Sequence, residues 1–547
     1  MEQTVPSFIE AAKGYRWMPM LFVLFVGLGL RLHGLGDWWF NPDEGLHFDI
    51  ATQPSFPEMI RVSLDQANPP LFYPLLRVWN SLGEGIYWLR LLSVLAGMAS
   101  IWISYLLGRQ WGGPAAGLTA ALLMALTPGA VVLSQVLRQY TIALVFQLLT
   151  VLFMTRYIHR FRKQDLWGYA VSLVLALLCH YATLLILPGL AVAWVVAAYT
   201  RRWGRSDLKA MLFAHIPSAI AFFLVFGLHI GPRLLGSSLQ QDAVDTYLKP
   251  YWISNMRDML PAIPELLRYL YGTGIHWLLL PWIVFGLITL AGSRDLWLLG
   301  LCLGVAATAF AMAALRLYPL GGTRHSLYML PFLFIPIADA VRYLACRNGR
   351  VLIALLVLCA LAGYGLSRPG LTDPESGFVT QAAELEKIIP MTDFLKLQSQ
   401  LLQLSHAPGL IIIDQETYYA LAPVFGAARF AGSTEGPFPW NRRMVCVYPH
   451  WRWEYQNRKN APWNYLFQCT EGYGRSRNGG EGTQEADIRM VRMGWSPSLI
   501  EWIKAHPSPE GSVPVLTDIE QGINSELFRI HLQGHSLANL SPQWNGR

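Results

Sequence analysis

Eleven stretches of about twenty apolar residues occupy the first two-thirds of this chain, and no other property limits its fold so strongly. They run over 17–36, 89–109, 114–134, 139–158, 166–181, 182–200, 210–230, 276–292, 296–315, 325–344 and 351–367. A helix rises about 1.5 Å per residue, so each is close to the length needed to cross roughly 30 Å of hydrocarbon. Within hydrocarbon, backbone N–H and C=O groups must pair inside the segment, which selects helix. The fifth and sixth stretches are separated only by His180-Tyr181, but together they are too long for one crossing. Composition agrees. Hydrophobic residues make up 53% of the 547 and charged residues 14%, against about 25% charged in a soluble domain. The 21 Trp and 23 Tyr suit a protein with many membrane interfaces. Trp17 to Leu35 is long enough to span and no small-residue cleavage site follows it, so it reads as a retained span rather than a signal peptide.

The net charge of +7 reads as a topology signal, not as a nucleic-acid footprint. Basic residues cluster at Arg156, Arg160, Arg162 and Lys163, at Arg201, Arg202, Arg205 and Lys209, and at Arg342, Arg347 and Arg350. With eleven spans these clusters share one side, the cytoplasmic one, and Lys13 and Arg16 join them. The opposite side receives 37–88, 135–138, the His180 corner, 231–275, 316–324 and everything after 368.

Residues 368–547 are rich in Pro, Gly, Asn and charge and contain no span. Periodicity predicts helices over 384–404, 417–425 and 499–505, and strands over 410–414, 513–516 and 527–531, with loops over 431–485. The expected fold class is therefore a polytopic α-helical membrane protein of about eleven transmembrane helices with an extracytoplasmic α/β domain. The expected division is 1–367, including outer loops 37–88 and 231–275, and 368–547. Cys446 and Cys469 fall in the polar region and can form one disulfide outside the cytoplasm. Cys179, Cys302, Cys346 and Cys359 lie in or beside apolar spans and read as small core residues.

The chemistry-bearing residues concentrate on the outer side. Asp43 and Glu44 are adjacent carboxylates beside a membrane, with His47 and Asp49 close behind. A positioned carboxylate that takes a hydroxyl proton contributes about 10²–10⁴-fold in rate. The same pair suits a hard divalent cation. Asn41-Pro42-Asp43-Glu44 is also a good helix start, which gives a purely structural reading. Arg138 stands alone on a short outer turn, as a phosphate clamp or as an interfacial anchor. Arg324 and His325 carry the same two readings, with Gly321-Gly322 able to bring backbone near a phosphate.

Four segments together resemble a known family. Asp43-Glu44-Gly45-Leu46-His47-Phe48, followed by Asp65-Gln66-Ala67-Asn68-Pro69-Pro70-Leu71, is similar to the first outer loop of the protein O-mannosyltransferases. More broadly it resembles the GT-C glycosyltransferases, including the lipid A aminoarabinose transferase. Ser134-Gln135-Val136-Leu137-Arg138-Gln139-Tyr140 is similar to the opening of their fourth span. His180-Tyr181 matches an outer corner of the bacterial members, and Tyr318 to His325, leading to Leu330-Pro331, their late outer loop. The resemblance covers about residues 15–345. Asn68 departs from it, since the family carries His or Lys before Pro-Pro, which puts a direct phosphate contact there in doubt.

The resemblance implies a sugar donor carried on a polyprenyl phosphate and an acceptor glycan, lipid or protein outside the cytoplasm. It implies a bacterial inner-membrane location with the N-terminus cytoplasmic and the C-terminal domain periplasmic. Asp43 would be the general base in one inverting displacement, with Glu44 orienting the acceptor. Arg138 and Arg324 would hold the donor phosphate. His47, Asn68, Tyr140, His180, Tyr181 and His325 would line the substrates. No cofactor is required on this reading, although a divalent cation on Asp43 and Glu44 is an alternative of the oligosaccharyltransferase kind. No P-loop or dinucleotide fingerprint is present, which disfavours a nucleotide-sugar donor. A transporter or flippase of lipid-linked substrates, or a membrane scaffold, is the reading from other classes.

Overall fold

A computed structural model describes residues 17–37, 39–64, 66, 68–231, 256–271, 276–346, 389, 391–425, 438–448, 469, 487–493, 499–505, 515–522 and 525–531. The eleventh expected span (351–367, with Cys359), Lys13, Arg16, Asp65, residues 232–255 and 272–275 of the second outer loop, Arg347, Arg350, and residues 384–388, 390 and 513–514 of two expected elements lie outside them. The chain divides into two compact units. One contains 1–35 and 63–382, the other 36–62 and 383–547. The first outer loop is thus shared between them, its Asp43-Glu44 part belonging to the unit that holds the C-terminal region.

The first unit is a helical membrane bundle. Among the described residues six helices are each long and apolar enough to cross a membrane: Ile86–Leu126, Tyr140–Arg160, Tyr181–Thr200, Arg205–Ile230, Leu296–Ala314 and Arg324–Ala345. Met18–Leu32, Lys163–Cys179 and His276–Ala291 are shorter apolar helices at the other expected positions. The 41-residue element Ile86–Leu126 is two expected spans joined end to end. Gly113, at φ +73°, followed by Pro114, breaks it where only glycine sits without strain. At its far end Thr127-Pro128 interrupts the ladder again before the helix Pro128–Ser134.

Arg31 meets that second break. It is fully buried, and its guanidinium donates to the carbonyls of Met124, Ala125 and Gly27 and to Ser134 Oγ, at 3.0–3.2 Å. A helix end leaves its last carbonyls without partners, and a planar five-donor fork can satisfy several together. A charge among apolar residues is tolerated when bonded in this way.

The second unit carries a six-stranded sheet in the order β2-β3-β1-β4-β6-β5. The strands are β1 (Gly409–Asp414), β2 (Phe438–Trp440), β3 (Arg443–Tyr448), β4 (Ile488–Met493), β5 (Val515–Gly522) and β6 (Ser525–His531). β1 is central and parallel to both neighbours, which explains its unbroken apolar run, Leu410 to Ile413 being buried on both faces. Cys446 on β3 is joined to Cys469 by a disulfide.

The expectation of loops throughout 431–485 is corrected, since β2 and β3 fall inside it; β4, just beyond, was also missed. Charges hide these strands. Arg443, Arg489 and Arg492 interrupt the apolar runs, but their side chains pair with Asp487 and Glu526.

Asp487 collects Arg443, Arg489 and Arg529 from three different strands. Burial pushes its carboxyl up, but the Arg443 hydrogen bond and charge, helped by Arg489 and Arg529, outweigh burial and hold it below the ordinary range. A carboxyl whose folded-state pKa lies below its unfolded value stabilises the fold above the unfolded pKa. That contribution disappears as pH falls through the lower value. Thermal melting of the full chain should therefore lose more stability below about pH 4 than melting of Asp487→Asn does. Parallel pH profiles for the two proteins would refute the role of this cluster.

Candidate active site

In the membrane unit the predicted residues converge at one end of the bundle. The helix Tyr140–Arg160 begins there, preceded by Arg138 and Gln139. The helix Lys163–Cys179 ends there, and extended backbone at His180 (φ −156°, ψ 138°) turns the chain into the 3-10 segment Tyr181–Ile186. Two separate helices thus replace the long apolar run. The His180 ring caps the turn, its Nδ1 accepting from Ala182 N at 3.0 Å. The 3-10 segment Arg324–Met329 completes the end, with Thr323 Oγ1 accepting from His325 N.

Aromatic rings tie these segments together. Tyr140 lies 4.9 Å from the His180 ring and 6.0 Å, edge-on, from that of His325. His180 and His325 are 6.5 Å apart. The Arg138 guanidinium sits 5.4 Å above the Tyr140 ring, and its Nη2 reaches Tyr140 Oη at 3.4 Å. Both Arg138 and Arg324 act electrostatically on His180. Two arginines from distant parts of the sequence therefore lie near one buried corner, a pairing of charges suited to a phosphate.

Asn68 enters by a contact that motif reading passed over. Its Oδ1 accepts from Gln139 Nε2 at 2.7 Å, and Gln139 is fully buried between Arg138 and Tyr140. Leu71 N donates to Leu178 O, so the Pro69-Pro70 turn is pinned to the end of the helix before His180. Tyr181 packs instead on His229, with ring centres 5.6 Å apart. Tyr318, which the motif gives no role, has its ring edge-on to His325 and its hydroxyl reaching the His325 carbonyl.

In the second unit Asp43 and Glu44 open the helix Pro42–Ala51. Asn41 Oδ1 accepts from Glu44 N at 3.1 Å, and Glu44 Oε2 accepts from Asn41 N and Nδ2 at 3.2 and 3.0 Å, a complete capping box. Glu44 is fully buried, whereas Asp43, one residue earlier, is part-exposed. Environment thus distinguishes the two carboxylates. His47 and Asp49 are buried on the same helix, and Asp49 Oδ1 accepts from Tyr418 Oη at 3.0 Å. A Cβ added at Gly45 would stand 1.7 Å from the Tyr419 carbonyl oxygen, so glycine alone permits this approach. The helix is fastened to Gln415–Ala420, the first helix after β1. Tyr418 and Tyr419 belong to the predicted helix 417–425, and no motif in the sequence marks them. Among the described residues, no group of three or more His, Cys, Asp or Glu side chains could hold a metal ion.

Among solved structures, ArnT from Cupriavidus metallidurans bound to undecaprenyl phosphate matches over 94% of this chain and 98% of its own length, with a TM-score of 0.52 at 14% identity. The chain has the GT-C fold. The apo state of the same protein matches with a TM-score of 0.51. The Archaeoglobus fulgidus oligosaccharyltransferase in complex with Zn and sulfate aligns with 64% of this chain and 52% of its own, at 14% identity and a TM-score of 0.41. By sequence, residues 67–228 match the dolichyl-phosphate-mannose-protein mannosyltransferase family model. That segment contains Asn68, Arg138, Tyr140, His180 and Tyr181 of the GT-C bundle and excludes Asp43, Glu44, Arg324 and His325. No curated protein matches the sequence.

Proposed function

We propose that this chain is an inverting membrane glycosyltransferase that moves a sugar from a polyprenyl phosphate to an acceptor glycan, lipid or protein outside the cytoplasm. The observation that carries the proposal is the buried corner in which the Arg138 guanidinium lies over the Tyr140 ring, while that ring packs against His180 and against His325, the neighbour of Arg324. Support comes from the fold neighbour solved with undecaprenyl phosphate. The chain would reside in a bacterial inner membrane, with its N-terminus cytoplasmic and its sheet-bearing unit periplasmic.

In the proposed reaction the acceptor oxygen attacks the anomeric carbon while Asp43 takes its proton. The bond from that carbon to the phosphate oxygen breaks, and its electron pair leaves with polyprenyl phosphate. Arg138 and Arg324 stabilise the charge that collects on the departing phosphate. His180, Tyr140 and His325 shape the pocket around it. Asn68, held by Gln139, positions the loop rather than the phosphate. Glu44 holds the mount from which Asp43 works.

No metal is required on this reading. Transfer from a labelled polyprenyl-phosphate sugar in proteoliposomes should persist after exhaustive chelation. Loss with EDTA and recovery with a divalent cation would instead establish the metal-dependent alternative on Asp43 and Glu44.

A further inference from the structure

The opposite end of the bundle holds a cavity of about 620 Å³ that the proposed reaction does not use. Tyr140–Arg160 spans 21 residues, so its two ends stand about 30 Å apart. Arg138 precedes one end. At the other, His159 and Arg201 meet Asp295, and Asp295 lines the cavity.

The lining has two parts. Phe285 and Tyr343 pack edge-on and, with Trp111, give an aromatic wall. The polar part is Thr289, Asp295, Asp339, Arg294 and Arg342. Both carboxylates are already engaged. Asp339 is buried and accepts from Thr289 Oγ1 at 2.8 Å and from Arg342 Nε at 2.7 Å. Asp295 accepts from Arg201 at 2.9 Å and from Trp297 at 3.1 Å. Arg342 uses only Nε on Asp339, which leaves its terminal nitrogens for another acceptor. Arg294 is exposed and makes no ion pair among the described residues.

The backbone makes room for this arrangement. A Cβ at Gly112 would meet Arg342 Cδ at 2.8 Å, so the bare glycine beside the Gly113 kink admits the arginine stem. The rim is apolar and exposed at Ile288, as expected of a surface facing lipid. A cavity with spare guanidinium donors on Arg294 and Arg342, an aromatic wall and a lipid-facing rim matches an anionic headgroup whose chains remain in the bilayer.

We propose that this cavity binds a phosphate group carried by an anionic membrane lipid, at a site distinct from the transfer site. The inference is independent of the proposed glycosyl transfer. Its chemistry is shared with free phosphate, so the probes are dioctanoyl phosphatidate, dioctanoyl phosphatidylcholine and inorganic phosphate, each titrated against the thermal melting of the full chain in detergent. Two variants keep the Asp339–Arg342 pair intact. Arg294→Gln removes one charge. Gly292→Leu fills the mouth, where the nearest atoms to a new Cβ are at 3.7 and 4.0 Å and the backbone admits a side chain.

Saturable protection by phosphatidate is expected, with none from phosphatidylcholine. Arg294→Gln should weaken it at least about fivefold, within the range for one charge-assisted contact, and Gly292→Leu should abolish it. Protection by phosphatidate alone assigns the site to a lipid; equal protection by inorganic phosphate assigns it to phosphate from either source. No saturable protection, or equal protection of wild type and both variants, would overturn the proposal. The melting temperature without ligand and the circular dichroism of Gly292→Leu serve as the control for folding.

Discussion

Asp43→Asn should reduce sugar transfer by about 10²–10⁴-fold while the protein accumulates normally in the membrane. Asn has nearly the shape of Asp and can still sit in the first helical turn, so the mount survives. What changes is the ability to take a proton from the acceptor hydroxyl. At about 1.36 kcal/mol per decade the expected loss corresponds to roughly 3–5 kcal/mol of barrier. The favourable interaction of a carboxylate with a helix N-terminus is only about 0.3–1 kcal/mol. Loss of that stabilising term cannot imitate the kinetic effect. Glu44→Gln is the informative partner. Its side-chain oxygen can still accept from Asn41, so the capping box persists and transfer should fall far less than in Asp43→Asn. A larger loss in Glu44→Gln than in Asp43→Asn would exchange the two roles.

Gly45→Ala should be as damaging as loss of the base, for a different reason. The new methyl would overlap the Tyr419 carbonyl at 1.7 Å, and that atom is backbone, which cannot rotate aside. Overpacking of this kind costs about 1–3 kcal/mol and sometimes more. The strain falls on the contact that fastens Pro42–Ala51 to Gln415–Ala420, so the helix bearing Asp43 must shift. A displacement of about 1 Å in a catalytic group is enough to cost roughly 10²-fold in rate. Gly29→Ala is the control. No atom lies within 4 Å of a Cβ there, and alanine favours a helix interior over glycine by about 0.5–1 kcal/mol. Circular dichroism melts and transfer rates should show Gly45→Ala impaired and Gly29→Ala equal to wild type or more stable. Wild-type transfer by Gly45→Ala would show that this packing does not position Asp43.

The membrane helices were legible because a single signal governs them. Apolar length decides where a helix can cross, and the breaks at Gly113-Pro114 and His180 fall where the sequence places its polar or glycine punctuation. Sheet strands carry a weaker signal, and in this unit the arginines of β3 and β4 mask it further. Their charges look solvent-exposed until Asp487 and Glu526 are placed beside them, and the Arg443–Asp487 and Arg492–Glu526 pairs join residues far apart in sequence. Arg31 escaped notice for the same reason, since its partners are backbone carbonyls nearly a hundred residues away.

The candidate site was partly legible. Arg138, His180 and His325 fell on one side by charge distribution, and they meet in the fold. Gln139 offered no such signal, because an uncharged side chain between two marked residues gives no hint that it bonds Asn68. The departure from His or Lys at position 68 now has a physical counterpart, since an amide there accepts from Gln139. The helix starting at Asn41-Pro42 was read as either a cap or a base. Its cap is formed by Asn41 and Glu44, which leaves Asp43 outside the capping box at the part-exposed position.

The most direct measurement is transfer by purified protein in proteoliposomes supplied with a radiolabelled polyprenyl-phosphate sugar, wild type beside Arg138→Gln and Arg324→Gln. The expected result is label leaving the lipid for acceptor material in wild type, none from a nucleotide sugar, and at least about a 10²-fold loss in each arginine variant. Undiminished transfer in both variants, or transfer from the nucleotide sugar, would contradict a phosphate clamp at the His180 corner.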